Sequence, residues 1–145
     1  MLKSEQKVIV DTTFLLPALG IEVEEEAMHI IPYLRLFKVC YLEVCILEAM
    51  WKILRVVPES KLDRVREGLR AIRESYTLIQ SPPKAYIEAY RIYHKGHKDF
   101  IDTLLYYTAK ELNIPLLIVD KPFIKFLKRQ GYNIKIILTP KKHTV

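Results

Sequence analysis

Two apolar runs in this chain end on the same residue. Val8-Ile9-Val10 runs into Asp11, and Leu116 to Val119 runs into Asp120. Runs this short and this rich in Val, Ile and Leu read as buried strands, and helical segments fill the chain between them. Strands alternating with helices predict an α/β domain with a mainly parallel sheet. In an open parallel sheet the carboxyl ends of the strands border the crevice where ligands bind, so Asp11 and Asp120 are expected side by side at its mouth.

The remaining elements follow from periodicity and punctuation. Residues 7–10 form the first strand. Residues 22–36 read as a helix with Ala27, Ile30, Ile31 and Leu34 on one side, followed by a strand over 37–40. A helix over 43–56 places Ile46, Leu47, Met50 and Leu54 inward, with Trp51 in the core, and Pro58 ends it. Ser60 and Asp63 resemble a capping box that opens an amphipathic helix through Leu62, Val65, Leu69 and Ile72. A short strand is expected over 76–79, then a helix over 84–93 with Tyr86, Tyr90 and Tyr93 on one face, as core or dimer contact. Helices over 99–112 and 122–130 flank the 116–119 strand, Gly131 stops the second of them, and residues 134–138 form the last strand. No linker, repeat or low-complexity stretch divides the chain, and 145 residues suit a single domain spanning 1–145.

Composition excludes several classes. With 50% hydrophobic and 28% charged residues the chain is globular rather than disordered. It has no apolar stretch of membrane-spanning length and no signal-peptide pattern at its start, so no membrane partner is expected and a cytoplasmic protein is the default. Cys40 and Cys45 match neither a zinc site nor a CxxC redox motif and read as buried small apolar residues. The net charge of +6 is concentrated toward the end. From Lys121 onward there are seven Lys or Arg and no acid, whereas residues 22–26 are strongly acidic. A basic face suits a polyanionic partner or a solvated surface.

Four acids stand out. Asp99 and Asp102 lie three residues apart at a helix start; Asp99 suits the N-cap, which leaves Asp102 in the first turn as the functional choice. Glu48 lies between Leu47 and Ala49 in an apolar helical stretch, where an unpartnered carboxylate is costly. If Asp11, Glu48, Asp102 and Asp120 converge, each ionised pair about 4 Å apart repels by roughly 4 kcal/mol at an effective dielectric near 20. Protons or a cation must neutralise such a cluster. Hard oxygen donors favour Mg²⁺ or Mn²⁺, and that chemistry suits attack on phosphate by an activated water.

The segments VIVDTTFLL, EAMWKIL and DFIDTLLYYTAKELNIPLLIVDKPF, in that order, resemble the acidic motifs of the PIN-domain nucleases, a family that includes VapC-type toxins and stand-alone archaeal proteins. The resemblance implies a three-layer α/β/α fold with a sheet of about five strands, and a metal-dependent endoribonuclease activity. It implies catalytic and metal-binding roles for Asp11, Glu48, Asp102 and Asp120, and a supporting role for Thr13, with Asp99 as a cap or support. It also implies a homodimer and, for a toxin, an antitoxin partner. Lys98, Lys121 and Lys125 would then hold RNA phosphates. His94 and His97 are expected to have a surface role. One departure is Val119, where the family often has Thr or Ser. It leaves open a second reading, a catalytically weak or inactive RNA-binding or scaffold module. A haloacid-dehalogenase-type phosphatase would need an Asp where Thr13 stands.

Overall fold

The computed structural model describes residues 6–139. The expected basic residues Lys141 and Lys142 lie outside that range. Among the described residues a five-stranded parallel sheet is flanked by helices, a three-layer α/β/α arrangement.

β1 (Lys7–Val10) is central, paired with β2 (Lys38–Leu42) on one side and with β4 (Leu116–Leu117) on the other; Ile9 is opposite both Cys40 and Leu116. Val8, Ile9 and Val10 are all buried, because helices cover both faces of a parallel sheet and a strand there has no wet side. β3 (Thr77–Ile79) and β5 (Ile137–Leu138) form the edges. The last strand is shorter than residues 134–138 because the Ile137 N–H donates to the Ile134 carbonyl, closing a turn ahead of the ladder.

The segment expected as one helix over 22–36 divides in two. α1 (Glu25–Ile30) runs into a 3₁₀ helix over Ile31–Leu36, with Pro32 in its first turn. Proline has no N–H to donate to the preceding turn, so the α pattern ends there. Ala27, Ile30 and Leu34 are nevertheless buried as expected.

α2 (Glu43–Val56) has the expected bounds but presents a different face. Cys45, Ala49 and Ile53 are buried, whereas Leu47, Trp51 (53% exposed) and Leu54 (75%) face outward. The helix is apolar on several sides, so its period permits more than one inward face. Packing selects the row with two small residues, Cys45 and Ala49. Both cysteines are buried and free.

α3 (Leu62–Ser75) follows a 3₁₀ turn over Glu59–Lys61, and Lys61 holds the cap position without a side-chain bond; Ser60 lies within the turn, so the expected capping box does not form. The helix lies against a 3₁₀ segment over Leu16–Leu19. Arg64 donates to the Ala18 carbonyl at 2.6 Å, and a Cβ on Gly68 would come 2.1 Å from that same oxygen. Alanine normally stabilises a helix interior by up to about 1 kcal/mol over glycine. Here the clash with backbone outweighs that gain. Gly68→Ala is expected to destabilise the protein by about 1–3 kcal/mol, measured as a lower urea midpoint at unchanged slope; an unchanged or higher midpoint would show that the two segments can separate freely.

α4 (Pro83–His94) packs on α5 (Phe100–Leu112) through Ala85, Ala89 and Ile92. Tyr86, Tyr90 and Tyr93 face outward rather than into the core, because the alanine row allows the closer approach. α5 is held by Tyr106, whose hydroxyl donates to the Asn133 carbonyl at 2.6 Å, and by a 2.7 Å hydrogen bond between the Thr108 and Ser81 hydroxyls. α6 (Lys121–Arg129) joins β4 to β5, and Gly131, at φ 82°, sits just past its end. Among the described residues no helix is long and apolar enough to cross a membrane.

Candidate active site

The strand order reverses between β1 and β4, which continue into opposite halves of the sheet. At such a switch point the outgoing connections diverge and leave a crevice beyond the carboxyl ends. A cleft of about 600 Å³ lies there, lined by Asp11, Glu48, Asp99, Asp102 and Asp120 together with Thr12 and Thr13.

Three of these acids have a structural duty as well. The Thr13 N–H donates to Asp11 Oδ1 at 3.1 Å, the Asp102 N–H to Asp99 Oδ1 at 3.2 Å, and the Phe123 N–H to Asp120 Oδ1 at 3.0 Å. Each of the three caps the helical turn that follows it. In each, Oδ1 accepts from a backbone N–H, which fixes the carboxyl at the start of its helical turn. Asp102 and Glu48 cap nothing. Asp102 projects from the first turn of α5 that Asp99 caps, as expected from their spacing. Glu48, the sixth of the 14 residues of α2, accepts a hydrogen bond from the Thr12 hydroxyl. Thr13, the residue named from the sequence, contributes its backbone N–H, while its neighbour supplies the hydroxyl.

The environment favours neutral carboxyls. Asp11 is 7% exposed and its pKa rises from 3.8 to about 7. Burial is the main cause, opposed by the N–H groups of Thr13 and Val119 and reinforced by Glu48 and Asp120. Asp102 is pushed to about 10, again mainly by burial, then by its hydrogen bond with Asp120 and by the charges of Asp99, Asp120 and Asp11. Burial also raises Glu48, against the Thr12 hydrogen bond. A buried set of carboxyls that disfavour one another's charge needs protons or a cation.

The donor set fits a divalent cation. The four acids offer hard carboxylate oxygens. Of the basic residues that line the cleft, Lys121 is paired with Glu26 at 3.7 Å. One ligand-capable atom each from His97, Asp102 and Asp120 lies within 4.8 Å of the other two.

His97 has a larger part here than the sequence indicates. Its side chain is 15% exposed, and its Nε2 lies 3.2 Å from Asp102 Oδ2. His94, by contrast, is exposed and lies in a tilted contact with the Tyr90 ring, at 4.4 Å between centroids and 52° between planes. Two further basic residues belong to the cleft. Lys52 and Arg55 line it, four and seven residues after Glu48, a spacing on one helix face that was available in the sequence. Of the three expected phosphate-binding lysines, Lys121 lines the cleft; Lys98 and Lys125 are exposed and outside its lining.

Fold and site together define a PIN-type domain. The family model "PIN domain" matches residues 8–127, and the chain belongs to that family. Its fold is similar to that of FitAcB from Neisseria gonorrhoeae, at TM-score 0.64 and 15% identity over 92% of this chain and 98% of that one. It is also similar to PAE2754 from Pyrobaculum aerophilum, at TM-score 0.61 and 20% identity over 94% and 90%, and to a toxin-antitoxin complex from Klebsiella pneumoniae, at TM-score 0.60 and 13% identity over 92% and 97%. No curated protein matches the chain. PIN-domain proteins are nucleases that generally use a divalent metal.

Proposed function

We propose that this protein is a metal-dependent endoribonuclease, acting as the toxin of a toxin–antitoxin pair. The observation that supports it most directly is the convergence of Asp11, Asp102 and Asp120, from three separate segments, in the cleft at the switch point of the sheet.

Asp11, Asp102, Asp120 and Glu48 would hold Mg²⁺ or Mn²⁺. Such an ion, when bound, supplies charge neutralisation at the phosphate and a more acidic water. The chain's own residues do the rest. Thr13, Phe123 and the Asp99-capped turn fix the carboxyls on rigid helix starts, which limits reorganisation during reaction. The Thr12 hydroxyl orients Glu48. Lys52, Arg55 and Lys121 border the acids and would receive backbone phosphates, with Lys98 and Lys125 extending the basic surface; contacts of this kind supply affinity without sequence choice.

The toxin reading and its antitoxin partner rest on the structural neighbours, which include a toxin-antitoxin complex and FitAB bound to a DNA fragment. A homodimer is supported by the exposed apolar face of α2, with Leu47, Trp51 and Leu54, and by the outward tyrosines of α4. A cytoplasmic setting is in keeping with an RNA substrate.

Purified protein is expected to cleave RNA internally in Mn²⁺ or Mg²⁺ and to lose the activity on chelation, restored by adding metal back. Absence of cleavage across structured and single-stranded RNAs in both metals would refute the enzyme assignment. It would favour the scaffold reading, for which Val119 is the specific observation, since its side chain offers no hydroxyl beside Asp120.

A further inference from the structure

Among the described residues, His97 is the one nitrogen donor grouped with Asp102 and Asp120, and several features hold it there. Gly96 precedes it at φ 126°, a backbone conformation that side chains other than glycine's rarely adopt, and this turns the chain sharply after α4. The imidazole then packs on two rings of α6, with centroids 4.5 Å from Phe123 and 5.4 Å from Phe126, both at 35° between planes. Phe123 is also the residue whose N–H is capped by Asp120. One helix turn therefore sets both the acid and the wall behind the histidine. The arrangement fixes the ring with Nε2 3.2 Å from Asp102 Oδ2.

A plain hydrogen bond to Asp102 would not need the third member. Yet His97, Asp102 and Asp120 each offer an atom within 4.8 Å of the others. Donors about 2.1 Å from a shared octahedral ion lie roughly 3.0 Å apart when adjacent and roughly 4.2 Å when opposite, and the His97–Asp102 pair at 3.2 Å is already close to the adjacent spacing. We propose that His97 is a nitrogen ligand of the same cation that Asp102 and Asp120 hold, and that it biases the site toward a first-row transition ion such as Mn²⁺ over Mg²⁺. The inference rests on the metal-dependent reading above and adds a ligand to it. Imidazole suits transition ions, whereas Mg²⁺ prefers oxygen and sheds its waters reluctantly.

Pulsed electron paramagnetic resonance of Mn²⁺ bound to the full chain tests this without any cleavage assay. A ¹⁴N coupling of directly bound imidazole is expected in the native protein, converted to a ¹⁵N pattern when only histidine is ¹⁵N-labelled, and absent in His97→Gln. That variant is expected to bind Mn²⁺ about tenfold or more weakly while its Mg²⁺ affinity changes little, as read by calorimetry. Stoichiometric Mn²⁺ without nitrogen coupling would overturn the ligand role and leave the metal site standing. Failure of the native protein to bind Mn²⁺ at all would overturn both. If His97→Gln does not fold, retention of the nitrogen coupling in His29→Gln, His94→Gln and His143→Gln assigns it to His97 by elimination, and its loss in any of them overturns the assignment.

Discussion

Asp102→Asn is expected to lower RNA cleavage in Mn²⁺ at least about 100-fold while leaving the metal-free fold intact near pH 7. The two halves of that expectation have one cause. Burial and neighbouring acids push Asp102 to about 10, so without metal its carboxyl is protonated at neutral pH. Asparagine is the same size as that neutral form and keeps a carbonyl acceptor. The backbone N–H of residue 102 still reaches Asp99 Oδ1, because the donor is main chain. Stability should therefore shift by less than about 1 kcal/mol. What asparagine lacks is the ability to ionise when a cation arrives, and even indirect supports of a metal site are worth 10–100-fold in affinity or activity. Cleavage rates together with denaturant midpoints check both halves. Full activity in the variant would remove Asp102 from the site, whereas an unfolded variant would show that its carboxyl is needed structurally.

Metal-free protein is expected to become less stable as the pH rises from about 4 to 8, and Mn²⁺ is expected to offset a large part of that loss. Asp11 and Asp102 bind protons more tightly folded than unfolded. Their contribution is fully present below the unfolded value near 3.8, and is lost as the pH rises through about 7 for Asp11 and onward toward about 10 for Asp102. At about 1.4 kcal/mol per pH unit, the interval for Asp11 alone amounts to about 4 kcal/mol, a large share of the 5–15 kcal/mol typical of a domain. A divalent ion replaces the protons and binds the ionised form, adding about 2.7 kcal/mol at a hundred times its dissociation constant. Urea unfolding across the pH range, with chelator and with Mn²⁺, measures both effects. A metal-free midpoint that climbs between pH 4 and 8 would contradict the burial of these carboxyls.

Much of this architecture was legible before any fold was known. The apolar runs ending at Asp11 and Asp120 marked a parallel sheet and its ligand-binding edge, and both acids line the cleft there. The split between Asp99 as cap and Asp102 as first-turn acid could be read from their spacing, since capping is a local interaction between residues a few positions apart. Glu48, suggested by its apolar neighbours and the family motif, lines the same cleft. The inward face of α2 was misread because a helix apolar on several sides has more than one candidate core row. The capping box at Ser60 was misread because a 3₁₀ turn occupies that segment.

What the sequence determined by itself is therefore local: the positions of strands and helices, the residues that end them, and the capping acids, each governed by backbone interactions within a few residues. The tertiary structure alone decided which α2 row is buried, that Thr12 rather than Thr13 reaches Glu48 with its hydroxyl, and that His97 leaves the surface to meet Asp102. Those outcomes depend on Phe123, Phe126 and Ala49 competing for space with groups distant in the chain. Close packing settles such competition through volume and contact, and neither is encoded in spacing along a single segment.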